Sequence, residues 1–154
     1  MTTRNSNDRT TLRVAIAGAG MISHHHLIAW TKCDRVELVA IADPDRAKAT
    51  ARAREFGIPG VFEDVDQMLH GSRVHALDIA SPVESHVANV RLAVKHRAAV
   101  LCQKPVASTL LDSQSLCESA ALVPFMVHEN WQCLLPNPDE KGIVLPGSRE
   151  RRSY

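Results

Sequence analysis

Short aliphatic runs alternate with helix-like segments along most of the chain, and this alternation most constrains its fold. The runs LRVAIA at 12–17 and VELVAIA at 36–42 are continuous and apolar, as is typical of strands buried on both faces of a parallel sheet. Six strands are predicted in all: 12–17, 36–42, near 61–62, 74–80, 98–102 and 125–127. The alternation predicts an α/β fold, a doubly wound parallel sheet with right-handed crossovers and helices on both faces.

Helices are predicted between the strands from apolar spacing and from end signals. Gly57 follows the second helix, where a glycine often ends a helix. Thr109 and Asp112 have the spacing of a capping box, which predicts that a helix begins there. The predicted helices are approximately 21–32, 44–56, 64–69, 83–94 and 109–122.

The alternating pattern occupies one stretch of the chain, which we expect to be a single domain at 12–130. The preceding residues 1–11 are polar and carry no apolar core of a secretory signal, so we expect a disordered leader. The final residues 131–154 are proline-containing, aperiodic and basic at the end, so we expect an irregular tail.

Composition excludes several classes of partner. The formal net charge is +1 and aromatic residues make up 4% of the chain, which argues against nucleic-acid binding. No apolar run approaches the ~20 residues of a membrane span. The four cysteines form no C-x-x-C pair, so we expect reduced thiols in a cytoplasmic protein.

Ligands of parallel α/β sheets bind outside the carboxyl ends of the strands. Four segments directly follow predicted strands, and the fold is expected to gather them along one edge. They are 18–23, Asp43, 81–82 and 103–105.

The first of these segments, GAGMIS at 18–23, fits a turn that binds a dinucleotide. Gly18 permits a tight turn, Gly20 lets a pyrophosphate approach the backbone, and Ser23 is small enough for the helix to pack on the sheet. The helix that opens here presents free N–H groups to the phosphates. Asp43, twenty residues after Ser23, suits the adenosine ribose and predicts NAD, with NADP as the alternative if the nearby Arg46 softens the preference.

Three consecutive histidines, His24, His25 and His26, follow this turn. Neighbouring residues on a helix point ~100° apart, so the three cannot share one metal ion. Helical zinc pairs use positions i and i+4. We therefore predict no metal site.

Several segments together resemble the Gfo/Idh/MocA family of oxidoreductases. They are GAGMISHHHLIAW, AIADPDRA, DIASPVESH, CQKPVAST and VHENW, which lie between residues 12 and about 131. The resemblance implies a Rossmann domain that binds NAD(P), and it implies a role near the cofactor for individual residues. These are Gly18, Gly20, Met21, Ile22, Asp43, Ser81, Pro82, His86, Gln103, Lys104 and Asn130.

The same resemblance makes Lys104 the candidate catalytic residue, since the lysine of the family's Glu-Lys-Pro sits at the nicotinamide and the substrate. A cis peptide bond often precedes the proline there. His86 has a second interpretation as a structural residue that caps the nearby turn.

Three departures from the family pattern stand out. Gln103 replaces a glutamate, which keeps hydrogen bonding but removes a charge. Val83 replaces a frequent asparagine. Arg97 stands where a helix-ending glycine is usual, which should cost stability.

Family enzymes continue into a second α/β domain that binds the substrate, often a sugar or polyol, and supplies an acid–base residue. The sequence after about residue 132 no longer resembles the family, so we expect a truncated form that lacks this domain. The predicted function is the NAD(P)-binding domain of an oxidoreductase acting by hydride transfer on a sugar, polyol or related hydroxyl compound, weak or inactive alone. The alternative is a non-catalytic module that binds a nucleotide or a partner, and self-association through the uncovered surface is a further alternative.

Overall fold

The computed structural model describes residues 11–129. Its strands are β1 Leu12–Ala17, β2 Val36–Ala42, β3 Gly60–Phe62, β4 Ala76–Ile79, β5 Ala99–Gln103 and β6 Phe125–His128. Its helices are α1 Met21–Trp30, α2 Arg46–Phe56, α3 Val65–Gly71, α4 His86–Lys95 and α5 Leu110–Ala120, with a 3₁₀ turn at Val83–Ser85 before α4. The predicted leader and tail lie outside the described residues apart from Thr11, so their character stays a prediction.

All six strands form one parallel sheet in the order β3-β2-β1-β4-β5-β6. The chain reverses its direction of travel across the sheet between β3 and β4, which sit on opposite sides of β1. The prediction of a doubly wound parallel α/β fold is confirmed. The point between β1 and β4 is where such sheets bind ligands, because the loops that follow these two strands diverge there.

Two apolar cores separate the sheet from its helices. On one face Met68 of α3, Val90 of α4 and Leu116 of α5 are buried in a single cluster. On the other face Leu27 of α1 and Ala49 of α2 are buried in a second cluster. The central strands contribute to both clusters, which explains why their sequences are continuously apolar.

The helix ends follow local sequence signals. Thr109 Oγ1 accepts a hydrogen bond from the Asp112 N–H and donates one to the Asp112 carboxylate, at 3.1 Å and 2.7 Å, so Thr109 is the N-cap of α5 as its spacing from Asp112 predicted. Gly57 ends α2 with φ +67°. The first helix is two residues shorter than predicted, because Thr31 and Lys32 already form a turn after it.

Arg97 adopts φ +56°, the left-handed conformation that glycine normally supplies at the end of a helix. Its N–H bonds to the Val94 carbonyl and the next N–H, of Ala98, reaches back to Ala93. The turn from α4 into β5 therefore forms with an arginine in a strained position, as the sequence predicted.

No helix within residues 11–129 is both long and apolar enough to cross a membrane.

Candidate functional site

A cleft of about 410 Å³ lies at the carboxyl ends of β1, β2 and β4. Gly18, Asp43, Ser81 and Pro82 are among the residues that line it. These residues are up to 64 positions apart in the chain, and the parallel sheet brings them together at one edge. The prediction that the strand ends gather along one edge is thus met. Three of the four segments line the cleft, and the fourth, at Gln103 and Lys104, lies on the same edge at the end of the adjacent parallel strand β5.

The two glycines of the turn have different structural reasons. Gly18 has φ +105°, and a Cβ there would lie 2.8 Å from the Ala80 carbonyl oxygen and 2.9 Å from the Ser81 nitrogen. The backbone after β4 therefore leaves no room for any side chain at position 18. Gly20 has an ordinary φ of −76°, and a Cβ there would meet no protein atom within 4 Å. Nothing within the described protein requires glycine at position 20, so the open space in front of it is available to a ligand.

Helix α1 begins immediately behind that open space. Gly20 is its N-cap and offers no side chain to the first-turn N–H groups, which lack intrahelical partners. The side chains of Met21 and Ile22 are 75% and 38% exposed. Ser23 is fully buried, and its hydroxyl donates to the Gly20 carbonyl at 2.7 Å. The start of α1 is therefore a positively polarised end with its amides uncapped by any side chain, as anion sites require.

Asp43 fastens this turn to the end of β2. Its Oδ2 accepts the Ala19 N–H and its Oδ1 accepts the Asp45 N–H, both at 2.8 Å. A carboxylate offers about four acceptor positions, so two remain for a ligand in the cleft. Asp43 thus has a structural role that the sequence did not predict, in addition to its place in the cleft.

The cleft lining carries four carboxylates and no lysine or arginine. The carboxylates belong to Asp43, Glu63, Asp64 and Glu84. Arg46, which we considered as a second determinant of cofactor preference, is exposed and pairs with Glu63 at 3.2 Å. This negatively charged lining is unfavourable for the extra phosphate group that NADP carries relative to NAD, because like charges repel in a partly enclosed cleft.

Arg52 of α2 contacts the glycine turn, which no sequence pattern predicted. Its Nη2 donates to the Gly20 carbonyl at 3.1 Å, and its Nη1 contacts Glu55 at 2.6 Å. Glu55 in turn contacts His24 Nε2 at 2.9 Å. His24 is therefore occupied by a carboxylate on α2, which agrees with the prediction that the three histidines act separately.

His86 bridges the loops after β4 and β5. Its ring is buried, with Nε2 2.9 Å from the Ser81 carbonyl oxygen and Nδ1 3.0 Å from the Pro105 carbonyl oxygen. Carbonyl oxygens only accept, so the imidazolium form makes both bonds and a neutral ring makes one. Both ring nitrogens thus face backbone oxygens, and His86 joins the two loops. This geometry favours the structural interpretation of His86, and its predicted contact with the cofactor stays a prediction.

The Ser81 side chain is held by polar neighbours at the cleft wall. Its hydroxyl lies 2.6 Å from the Ser85 hydroxyl, and Asn89 Nδ2 donates to it at 3.2 Å. Pro82 then leads into the 3₁₀ turn that carries Ser85. Asn89 is 93% buried and lines the cleft, although the sequence analysis did not single it out.

A buried ionic network lies under the end of β5. Asp78, in the middle of β4, is fully buried, and both its oxygens are 2.9 Å from His26 Nδ1. Trp30 Nε1 donates to Asp78 Oδ2 at 2.7 Å. Two charge-assisted hydrogen bonds thus compensate a carboxylate that burial alone would strongly disfavour.

Gln103 connects this network to Lys104. Its Oε1 accepts the Lys104 N–H at 2.7 Å, so its NH₂ group faces His26 Nε2 at 3.3 Å and His128 Nδ1 at 3.5 Å. The amide can donate only to ring nitrogens that carry a lone pair, which places the His26 proton on Nδ1, toward Asp78. Gln103 thus joins the backbone of Lys104 to the two histidines.

His128 closes the network from β6. Its ring centroid lies 4.3 Å from that of His26. Burial lowers the pKa of His128 below its usual value, and the neighbouring His26 lowers it further. Nearby, Cys102 is buried, and burial raises the pKa of its thiol to about 12. This thiol is thus an inert core group, as expected.

Lys104 directly follows β5 and is exposed, and the Lys104–Pro105 peptide bond is cis, as the resemblance implied. Asn130 lies outside the described residues. Asp78 was not predicted as a neighbour of the candidate site. An ionisable residue inside an otherwise aliphatic strand was the available signal, because such a residue needs partners to be buried.

The chain is similar to known sugar dehydrogenases. The family model GFO_IDH_MocA, described as an oxidoreductase family with an NAD-binding Rossmann fold, matches residues 12–130. A D-apiose dehydrogenase of Paraburkholderia graminis is 41% identical over 77% of this chain and 32% of its own length. A second, of Rhizobium rhizogenes, is 31% identical over 90% of this chain and 41% of its own length. The matched segments thus cover 32% and 41% of the length of these relatives.

Solved structures agree with the fold. An oxidoreductase from Agrobacterium radiobacter, solved in complex with NAD+, L-tartaric acid and magnesium, superposes with a TM-score of 0.77 at 31% identity. The match covers 80% of this chain and 36% of that one.

Proposed function

We propose that this chain, which belongs to the Gfo/Idh/MocA family of NAD-binding oxidoreductases, binds NAD in the cleft at the ends of β1, β2 and β4. The observation that carries the proposal is Gly20. Its missing side chain leaves open space at an uncapped helix end, and no neighbouring protein atom accounts for it. A pyrophosphate there would accept hydrogen bonds from the turn and the first turn of α1.

The remaining site residues are assigned by their place along the sheet edge. The pyrophosphate would lie at Gly18, Gly20, Met21 and Ile22, and Asp43 would accept hydrogen bonds from the adenosine ribose. Ser81 and Pro82 would flank the cofactor, and Gln103 and Lys104 would stand toward the nicotinamide end, with Asn130 as a further predicted neighbour. His86 would hold the Ser81 and Pro105 loops at a fixed separation.

The charge of the cleft supports NAD over NADP. Asp43 and the three other carboxylates of the lining would repel a 2′-phosphate, and Arg46 is already paired with Glu63. We therefore expect NAD+ to bind at least about tenfold more tightly than NADP+, a difference of ~1.4 kcal/mol.

For the whole reaction we propose oxidation of a sugar or polyol hydroxyl, in keeping with the relatives named D-apiose dehydrogenase. The cofactor, when bound, accepts a hydride from the substrate carbon. Lys104 would hydrogen-bond the substrate oxygen through its ammonium group. An ammonium has no lone pair, so in that form it cannot take the hydroxyl proton, and a separate base is required. The matched relatives are more than twice as long as this chain, and turnover by this chain alone is proposed to be weak or absent.

A second candidate function is a non-catalytic module that binds a nucleotide or a partner. Large apolar side chains on α5 and its vicinity favour it, because Leu110, Leu111, Leu122 and Met126 are 76%, 75%, 80% and 62% exposed. Exposed apolar patches mark interaction sites in many proteins, and these four side chains are the candidates for such a patch here.

Calorimetric titration with NAD+ and NADP+ tests the proposal, with Asp43→Asn and Asp34→Asn as a matched pair. We expect Asp43→Asn to narrow the preference for NAD+, and Asp34→Asn, which lies outside the cleft, to leave it unchanged. A folded chain that binds neither dinucleotide, or binds NADP+ more tightly, would contradict it. Incubation with NAD+ and a panel of pentoses and polyols then separates an oxidoreductase, which forms NADH, from a module that binds without turnover.

A further inference from the structure

Asp66, His70 and His96 form a cluster away from the cleft. Asp66 and His70 lie one turn apart on α3, and His96 follows the last residue of α4. The Asp66 Oδ1 atom lies 3.2 Å from His96 Nε2 and 3.5 Å from His70 Nδ1. All three ligand atoms lie within 4.8 Å of one another. We name this set the α3–α4 cluster.

The spacing of these atoms suits a tetrahedral metal ion. Zinc binds imidazole nitrogen and carboxylate oxygen at about 2.0–2.2 Å, so neighbouring ligand atoms of a tetrahedral site are ~3.4 Å apart. The two distances from Asp66 Oδ1 bracket this value. The ligand nitrogens of His70 and His96 lie within 4.8 Å of each other. His70 is 60% exposed at its side chain, so its ring has room to turn.

We propose that the α3–α4 cluster is a binding site for a divalent transition metal ion, with Zn²⁺ as the best match to two imidazoles and one carboxylate. Three protein ligands leave one position for water. The ion would join α3 to the end of α4. His70 precedes β4 and His96 precedes β5 along the chain, so the site lies toward the amino ends of the strands and the NAD cleft lies at their carboxyl ends.

Without metal, the cluster is held by hydrogen bonds that a metal ion would displace. Lys95 Nζ lies 3.2 Å from Asp66 Oδ1, and His70 Nδ1 lies 2.9 Å from the Asp66 backbone oxygen. Lys95 is 59% exposed at its side chain, so its ammonium group can move into solvent. The ammonium group competes with a metal ion for the same oxygen. Removing its charge should therefore strengthen metal binding, whereas removing a ligand should weaken it.

This proposal replaces the sequence-based expectation of no metal site. That expectation considered the three consecutive histidines and not the Asp-x-x-x-His spacing on α3. The third ligand lies 26 residues after His70, and only the packing of α3 against α4 brings it near.

Titration of the chelator-treated protein with ZnCl₂ tests the proposal by calorimetry and by thermal melting. We expect one ion per chain and a melting temperature that rises with zinc concentration, because a ligand of the native state stabilises it by mass action. His70→Ala and His96→Gln should weaken zinc binding at least tenfold. Lys95→Gln should tighten it severalfold.

His25→Ala is the matched control, since His25 is an exposed histidine on α1. It should bind zinc like the unaltered chain. The proposal is overturned if zinc does not bind, if His70→Ala and His96→Gln bind it undiminished, or if His25→Ala removes the effect. Circular dichroism of each variant before titration establishes that it is folded. The NAD affinity is measured separately, and the outcome of the zinc titration does not decide the NAD proposal.

Discussion

At the scale of single residues, the two glycines of the turn have different parts: Gly18 is required by the fold, and Gly20 is proposed to bind NAD. Gly18→Ala forces a side chain into the left-handed region and against the backbone after β4. The conformation alone costs about 1–2 kcal/mol, so we expect a loss of about 2 kcal/mol or more in the free energy of unfolding. Gly20→Ala meets open space and should cost less than about 1 kcal/mol, as an N-cap change.

The same pair of variants should respond differently to ligand. Gly20→Ala is expected to lower NAD affinity roughly tenfold or more, because the new methyl group occupies the space proposed for the pyrophosphate. Urea unfolding and calorimetry measure the two effects separately. Equal stability losses in both variants, or undiminished NAD binding by Gly20→Ala, would contradict this division of roles.

Asp78 gives a second prediction at this scale. Asp78→Asn keeps the shape of the side chain but removes the charge that holds His26 and Trp30. Hydrogen bonds to charged groups contribute about 1.5–3 kcal/mol each, so we expect a loss of about 2–3 kcal/mol in urea unfolding. Asp34→Asn in an exposed loop should stay within about 0.5 kcal/mol of the unaltered chain. An equally small change in Asp78→Asn would rule out a structural role for the network.

The places of the candidate site residues in the fold were predictable where sequence neighbours determine them. Gly18, Asp43 and Ser81 each follow a strand directly, and parallel strand ends must share an edge. The partners of Asp78 were not predictable, because His26 and Trp30 are 52 and 48 positions away. Their contact depends on how α1 lies across β4, which no local pattern encodes.

At the scale of elements, the end of α4 carries a correctable strain. Arg97 has φ +56° and an exposed side chain, so Arg97→Gly removes the conformational cost without losing packing. We expect a gain of about 1 kcal/mol in the free energy of unfolding. Arg54→Gly, in the last turn of α2, should instead lose up to about 1 kcal/mol. A loss in both variants would show that the Arg97 side chain stabilises the turn.

Strand β6 should confer a pH dependence through His128. Its pKa is lowered in the folded state, so the unfolded chain takes up a proton more readily and acid favours unfolding. The destabilising contribution of His128 is absent above the unfolded pKa of about 6.5. It grows as the pH falls through that value toward the folded pKa.

The difference between the unaltered chain and His128→Gln isolates this effect from the other histidines. We expect stability to fall less for His128→Gln than for the unaltered chain between about pH 7.5 and pH 5. Urea unfolding at several pH values measures it. Parallel stability profiles would mean that His128 is not perturbed.

Element order and type followed from sequence, whereas element ends did so only where a local signal exists. The Thr109 capping box and Gly57 fixed two ends correctly. Strand β4 starts at Ala76 and not at 74, and helix α4 starts at His86 because Pro82 leads into a separate 3₁₀ turn.

At the scale of the whole molecule, the parallel sheet brings the carboxyl ends of all six strands to one edge. The NAD proposal depends on this edge, and the zinc proposal depends on helix packing away from it. The two sites are therefore expected to fill independently, without changing each other's affinity.

The central claim is that NAD binds at the open glycine turn and the neighbouring strand ends. Amide chemical-shift mapping of the ¹⁵N-labelled chain on titration with NAD+ tests it most directly. We predict the largest saturable shifts at the amides of Gly20, Met21, Ile22 and Ser81, with little change at Asp66 and His96. Saturable shifts centred elsewhere, or no shifts in a folded chain, would contradict the account.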